Sequence, residues 1–135
     1  MPGEAERLYN ALIGSDNIAY GVLPNGAASV TVTAAAAWVF GAWAEIAASV
    51  GAVDAWLYYV AMENPSAPAA GYDVGIGRGA GGAEVSIATV SLFNGVMFLP
   101  FPARIPATTR VAGRVRSSTG AADTVAVKVG IVTGA

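Results

Sequence analysis

The sequence predicts an all-β fold, an antiparallel β-sandwich of eight to nine short strands, on three observations. Apolar and polar residues alternate strictly in Ser29-Val30-Thr31-Val32-Thr33, Glu84-Val85-Ser86-Ile87-Ala88 and Val125-Ala126-Val127-Lys128-Val129-Gly130-Ile131, and a period of two marks a half-buried strand. Turn residues punctuate the chain at short intervals, as at Pro24-Asn25-Gly26, Asn64-Pro65-Ser66-Ala67-Pro68, Gly79-Ala80-Gly81-Gly82 and Ser118-Thr119-Gly120; regular short strands between such turns favour a sandwich or barrel. The length, 135 residues, suits one domain of ordinary size and not two.

The first seventeen residues break the pattern. Glu4, Glu6, Arg7, Leu8, Ala11 and Leu12 fit a helical spacing after Pro2, so residues 1–17 are expected to form an arm or short helix beside a single domain of residues 18–135. Strands are then expected at about 18–23, 28–33, 37–48, 53–63, 71–78, 83–92, 96–101, 109–117 and 123–132. The third is contested by propensity, because Ala34–Ala48 is alanine-rich and alanine favours helix. Trp38, Phe40, Trp43 and Ile46, with strands on both flanks, favour extended chain instead. On these strands Trp38 shares a face with Phe40 and Trp56 with Tyr58, which predicts core packing for both pairs. Trp43 and Tyr59 fall on the opposite faces and are expected to anchor interfaces. In the eighth strand Arg110, Ala112, Arg114 and Arg116 line one face, and Val111, Gly113 and Val115 the other.

Composition excludes much chemistry. Hydrophobic residues make up 55% and charged residues 12%, about half the ~25% usual in soluble domains. With His 0 and Cys 0, Ser-His-Asp and Cys-His catalysis, His/Cys metal centres, disulfides and a histidine switch all lack their residues. No cofactor or metal is expected. Net charge is −2, which offers nothing to nucleic-acid phosphates or an anionic membrane, and neither is expected as a partner.

The apolar excess invites a membrane reading, which the spacing of charges opposes. Ala34–Ala44 runs eleven residues without charge and stops at Glu45, where a spanning helix needs about 20. The acidic start, with Glu4 and Glu6, lacks the positive region of a secretion signal.

Two motifs suggest catalysis and yield to simpler readings. Gly77-Arg78-Gly79-Ala80-Gly81-Gly82 satisfies G-x-G-x-x-G, but a strand pattern follows it where a phosphate-binding helix is required, so a hairpin is expected. Asp54, Asp73 and Glu84 are the carboxylates open to two-acid glycoside hydrolysis, yet nothing in their spacing brings two together. They are expected to fix turns and strand ends, and Arg110, Arg114 and Arg116 to pair with carboxylates in their own sheet or on a partner. So few charges would leave a monomer with large neutral surface, which subunit contacts would hide.

Trp43-Ala44-Glu45-Ile46-Ala47-Ala48-Ser49, Tyr72-Asp73-Val74-Gly75-Ile76-Gly77 with Gly82-Ala83-Glu84, and Pro102-Ala103-Arg104-Ile105-Pro106-Ala107 leading into Arg110–Ser118 together resemble a group of small virion structural proteins of tailed bacteriophages. The resemblance covers roughly residues 28–132 and implies a jelly-roll type of β-sandwich within the phage particle. It also leads one to expect glycine where this chain has Thr108. The expectation is a non-enzymatic capsid decoration (cement) protein, a homotrimer on the outer head surface that stabilises the shell. Its partners would be the major capsid protein and itself, and its location the virion, assembled in the host bacterial cytoplasm. Leu8 and Leu12 of the arm, Arg104, Arg110, Arg114, Arg116, Trp43 and Tyr59 are the expected interface residues. The alternative is a tail, connector or receptor-binding virion component of the same fold, with Trp43 and Tyr59 facing a glycan.

Overall fold

A computed structural model describes residues 4–5, 19–25, 28–119 and 122–134. Within them the chain is all-β, with strands β1 (Ala19–Leu23), β2 (Val30–Thr33), β3 (Ala44–Ala47), β4 (Ala55–Glu63), β5 (Tyr72–Arg78), β6 (Val85–Leu92), β7 (Gly95–Ile105), β8 (Val111–Ser117) and β9 (Thr124–Thr133). They form two antiparallel sheets packed face to face. The larger runs β1-β9-β4-β7, with β2 also on β9, and the smaller runs β3-β8-β5-β6. The pairs are nested: β5 with β6, β4 with β7, β3 with β8, and β1 and β2 with β9, as though one long hairpin had been folded over on itself. The predicted arm, with Leu8 and Leu12, lies outside the described residues except for Glu4 and Ala5.

Alternation builds the core. Val125, Val127, Val129 and Ile131 of β9 point inward and meet Val74 and Ile76 of β5 and Val111 and Val115 of β8 in one buried cluster. Each such side chain taken from water contributes about 1.5–3 kcal/mol, which fixes the register, because a one-residue slip would turn the whole set to solvent. Tyr72, 1% exposed, lies in this cluster and exchanges two 3.1 Å hydrogen bonds with the backbone of Ala67, accepting from its N–H and donating to its carbonyl. The β4–β5 connection is thereby tied to the core.

Three local expectations are corrected. The strand expected over 37–48 shrinks to β3, because the chain before it is a loop whose hydrogen bonds go elsewhere: the N–H groups of Ala34, Trp38 and Gly41 donate to the carbonyls of Asp123, Ser117 and Val115. Trp38 takes φ 57° in that loop and is 51% exposed, so it is not a core residue. The strand expected over 96–101 extends through Pro102 to Ile105, which is tolerated because β7 is an edge strand and a proline there loses no ladder bond. Finally, β4 carries a bulge at Tyr58: Leu57 faces Ile131 and Tyr59 faces Gly130 across the β4–β9 ladder. The inward set is therefore Ala55, Leu57, Val60 and Met62. Trp56 stands on the outer face, covered there but outside the core cluster, between Arg104 and Val132.

Candidate functional site

The outer face of the smaller sheet gathers three of the predicted arginines. Register places Arg116 opposite Asp73, Arg114 opposite Gly75 and Ala112 opposite Gly77. Arg116 Nε donates to Asp73 at 2.8 Å, and Asp73 also accepts from Ser91 at 2.7 Å. Arg110 Nε donates to Glu45 at 3.0 Å while its Nη1 reaches Glu84 at 3.4 Å and the Gly79 carbonyl at 3.3 Å. Glu84 in turn accepts from the Gly82 N–H at 2.6 Å, closing the β5–β6 hairpin. Gly79 and Gly82 take φ 119° and 84°, so the glycine motif is a hairpin turn followed by a strand, as its context predicts.

Arg114 is held differently. Its guanidinium carbon lies 4.3 Å from the Phe40 ring centre and 4.2 Å from that of Trp43, and the guanidinium carbon of Arg116 lies 4.7 Å from the same Phe40 ring. Two glycines make room. The Trp43 ring occupies the space of a side chain at Gly77, where a Cβ would come within 2.7 Å of it, and the Arg114 stem lies against Gly75. Arg114 Nε is buried without a hydrogen-bond partner, and among the described residues this arginine forms no ion pair. Its charge is met by the negative faces of two rings, each contact being worth about 0.5–2 kcal/mol.

Arg104 lies on β7, beside Trp56 on the outer face of the larger sheet. Asp54 accepts from its Nη2 at 2.8 Å and its Nε at 3.2 Å, and Glu4 stands 3.3 Å from the same Nε. The Asp54 hydrogen bonds, foremost, raise the affinity of Arg104 for its proton above the ordinary value. The second Asp54 oxygen accepts from the Ala107 N–H at 2.9 Å, securing the turn into β8. Asp54, Asp73 and Glu84 thus each bind an arginine of the chain itself. Among the described residues no group of three or more acids is assembled as a metal site, and no helix is long and apolar enough to cross a membrane.

A second surface was not expected as a whole. On the outer face of the larger sheet the Tyr59 ring lies across Gly130, where a Cβ would stand only 1.9 Å from it. Tyr58 meets Tyr59 at 5.0 Å, Tyr20 at 5.8 Å and Phe98 at 6.1 Å between ring centres. Burial, then the neighbouring Tyr59 and Tyr20 hydroxyls, push the Tyr58 phenol upward in pKa. Across the β4–β7 ladder Leu57 faces Ala103 and Tyr59 faces Phe98, so Leu99-Pro100-Phe101-Pro102 bulge out opposite Tyr58. Phe101 is 86% exposed, Phe93 70% and Phe98 63%. Of the predicted anchors, Tyr59 belongs to this surface and Trp43 to the arginine ladder. The signal that finds the surface is an absence: residues 85–103 contain no charged side chain.

No family model, curated protein sequence or solved structure matches this chain.

Proposed function

We propose that this protein is a non-enzymatic capsid decoration protein of a tailed bacteriophage, a homotrimer that binds the outer head surface and stabilises the shell. The observation that carries the reading is a small sandwich with few charges, most of its described arginines neutralised within the chain and its exposed surface rich in aromatic rings. Such a surface suits contact with other proteins. The nested strand pairing supports a jelly-roll type of sandwich. Its mechanism would be adhesion: each bound copy adds its contact energy to the assembled shell and none to dissociated subunits, so the shell is stabilised by mass action. The pairing of Glu4 with Arg104 supports a role for the N-terminal arm on the β7 side of the particle contact.

The test is to add purified protein to heads that lack it and to measure occupancy and the temperature at which the shell opens. The reading expects saturable binding and a higher opening temperature, with occupancy reduced on deleting residues 1–17. Failure to bind heads, with binding to host cells instead, would replace it by the receptor-binding alternative.

A further inference from the structure

We infer that the bulged outer edge of β7, with the aromatic face it adjoins, is the surface on which a second copy of this chain seats. The inference deepens the self-association part of the proposed function and rests on it. Tyr20, Phe93, Val96, Phe98 and Phe101 are five of the eleven exposed large apolar side chains of the described residues, and four of them fall within residues 93–101, on the β6–β7 turn and β7. Tyr58 bridges Tyr20 to Phe98, making one continuous apolar surface from β1 across the sheet to the β7 edge. At about 200 Å² per aromatic side chain, the exposed fractions of the four rings alone present roughly 550 Å². Val96 adds to this, and the sum is most of the ~800 Å² that each partner of a standard specific interface buries.

The chemistry of the strip selects the occupant. Within residues 85–103 the strip carries no charge, so it has nothing to complement on a charged partner and nothing to repel an identical copy; on the adjoining aromatic face Lys128 stands opposite Ala61, two residues from Gly130. A net charge of −2 adds little repulsion over the whole chain. Pro100 and Pro102 withhold backbone donors, so the edge does not extend by adding a strand. Copies would instead meet through side chains, with Phe101 as the projecting knob.

Sedimentation velocity of the full chain at micromolar concentrations, without phage particles, tests the inference. The wild type is expected to run as an oligomer. Phe101→Asp and, independently, Phe93→Asp are expected to raise the dissociation constant at least about thirtyfold with an unchanged far-ultraviolet circular dichroism spectrum, while Val39→Asp, on an exposed loop residue away from the strip, leaves assembly as it was. Two substitutions at separate points keep the test decisive should one of them impair folding. A monomeric wild type, or variants that associate like it, would overturn the inference. Head binding scored on the same preparation separates the two readings: oligomers that ignore heads sink only the decoration role, oligomers that both variants leave intact sink only this surface, and monomers that coat heads sink this surface and the homotrimer together while the decoration role stands.

Discussion

The two sheets solve the problem of an exposed outer face in opposite ways. The smaller sheet carries charge and consumes it: Arg110 and Arg116 reach carboxylates on neighbouring strands, and Arg114 is packed between Phe40 and Trp43. The larger sheet carries tyrosines and, toward β7, phenylalanine, with Tyr58 and Tyr59 half-buried and Tyr20, Phe98 and Phe101 left open. Both use the same device, an aromatic ring laid over a strand glycine, Trp43 over Gly77 and Tyr59 over Gly130. A row of arginines in a sequence is therefore not by itself a docking surface. Self-satisfied charges hold a sheet together, and the uncharged edge is what remains to be covered.

Gly41 offers the most damaging way to break the contrast. A Cβ there would lie 1.7 Å from the Thr33 carbonyl oxygen, and backbone cannot step aside as a ring can. Gly41→Ala is expected to cost about 3 kcal/mol and to loosen the loop that presents Phe40 and Trp43, which thermal melting and near-ultraviolet circular dichroism would register. Arg114→Lys comes next. It keeps the charge and loses the flat stack, at a cost of about 1–2 kcal/mol in chemical unfolding; an unchanged midpoint would deny the ladder its structural part. Removing Arg116 by Arg116→Gln should cost less, about 0.5–1 kcal/mol, since its pair with Asp73 is partly solvated.

Thr108→Gly should act in the opposite direction. Thr108 holds φ 62° in the turn before β8, a conformation costly for a β-branched residue, and the change is expected to stabilise by about 0.5–1 kcal/mol, read as a raised melting temperature.

Proton titration separates the regions without mutation. Hydrogen bonds from Thr119 and then Ser117 hold the Asp123 carboxyl below its ordinary value of 3.8, so their stabilisation is present above that pH and lost as pH falls through the lowered value. The Tyr58 phenol is raised above 10.0; what it contributes is present below that pH and lost as pH rises into the raised range. Amide exchange across both ends should show the β8–β9 junction weakening in acid and the tyrosine face in alkali. Reversal of either order would contradict the hydrogen bonds or the burial assigned to these groups.

Strand existence was legible because period two and turn residues are local signals. All nine expected strands have counterparts, and Arg110, Arg114 and Arg116 share the face that alternation assigns them. What was not legible depends on distant partners. The loop before β3 is held by carbonyls of β8 and by that of Asp123, and no pattern within 34–43 announces it. Alternation also fails silently at a bulge: with one extra residue at Tyr58, Leu57 and Val60 both face inward, so the shared face that predicts core packing for Trp56 and Tyr58 is not the core face of β4. Arg110 and Arg116 find the carboxylates expected for them within their own sheet, and Arg114 does not: its guanidinium lies on Phe40 and Trp43 instead.

The nested pairing also dictates an order of assembly. β9, the last strand, does not close an edge of the larger sheet but lies inside it, between β4 on one side and β1 and β2 on the other. Ala19 pairs with Thr133 at the far ends of the described strands, so the contacts that complete the larger sheet span nearly the whole sequence. Such closure carries a large loop entropy and places folding toward the slow, millisecond-to-second end of the range for single domains. A chain emerging from the ribosome would expose β4 beside an empty lane until β9 arrived, and loss of a few residues from β9 would remove the middle of a sheet, where loss from β7 would only shorten its rim.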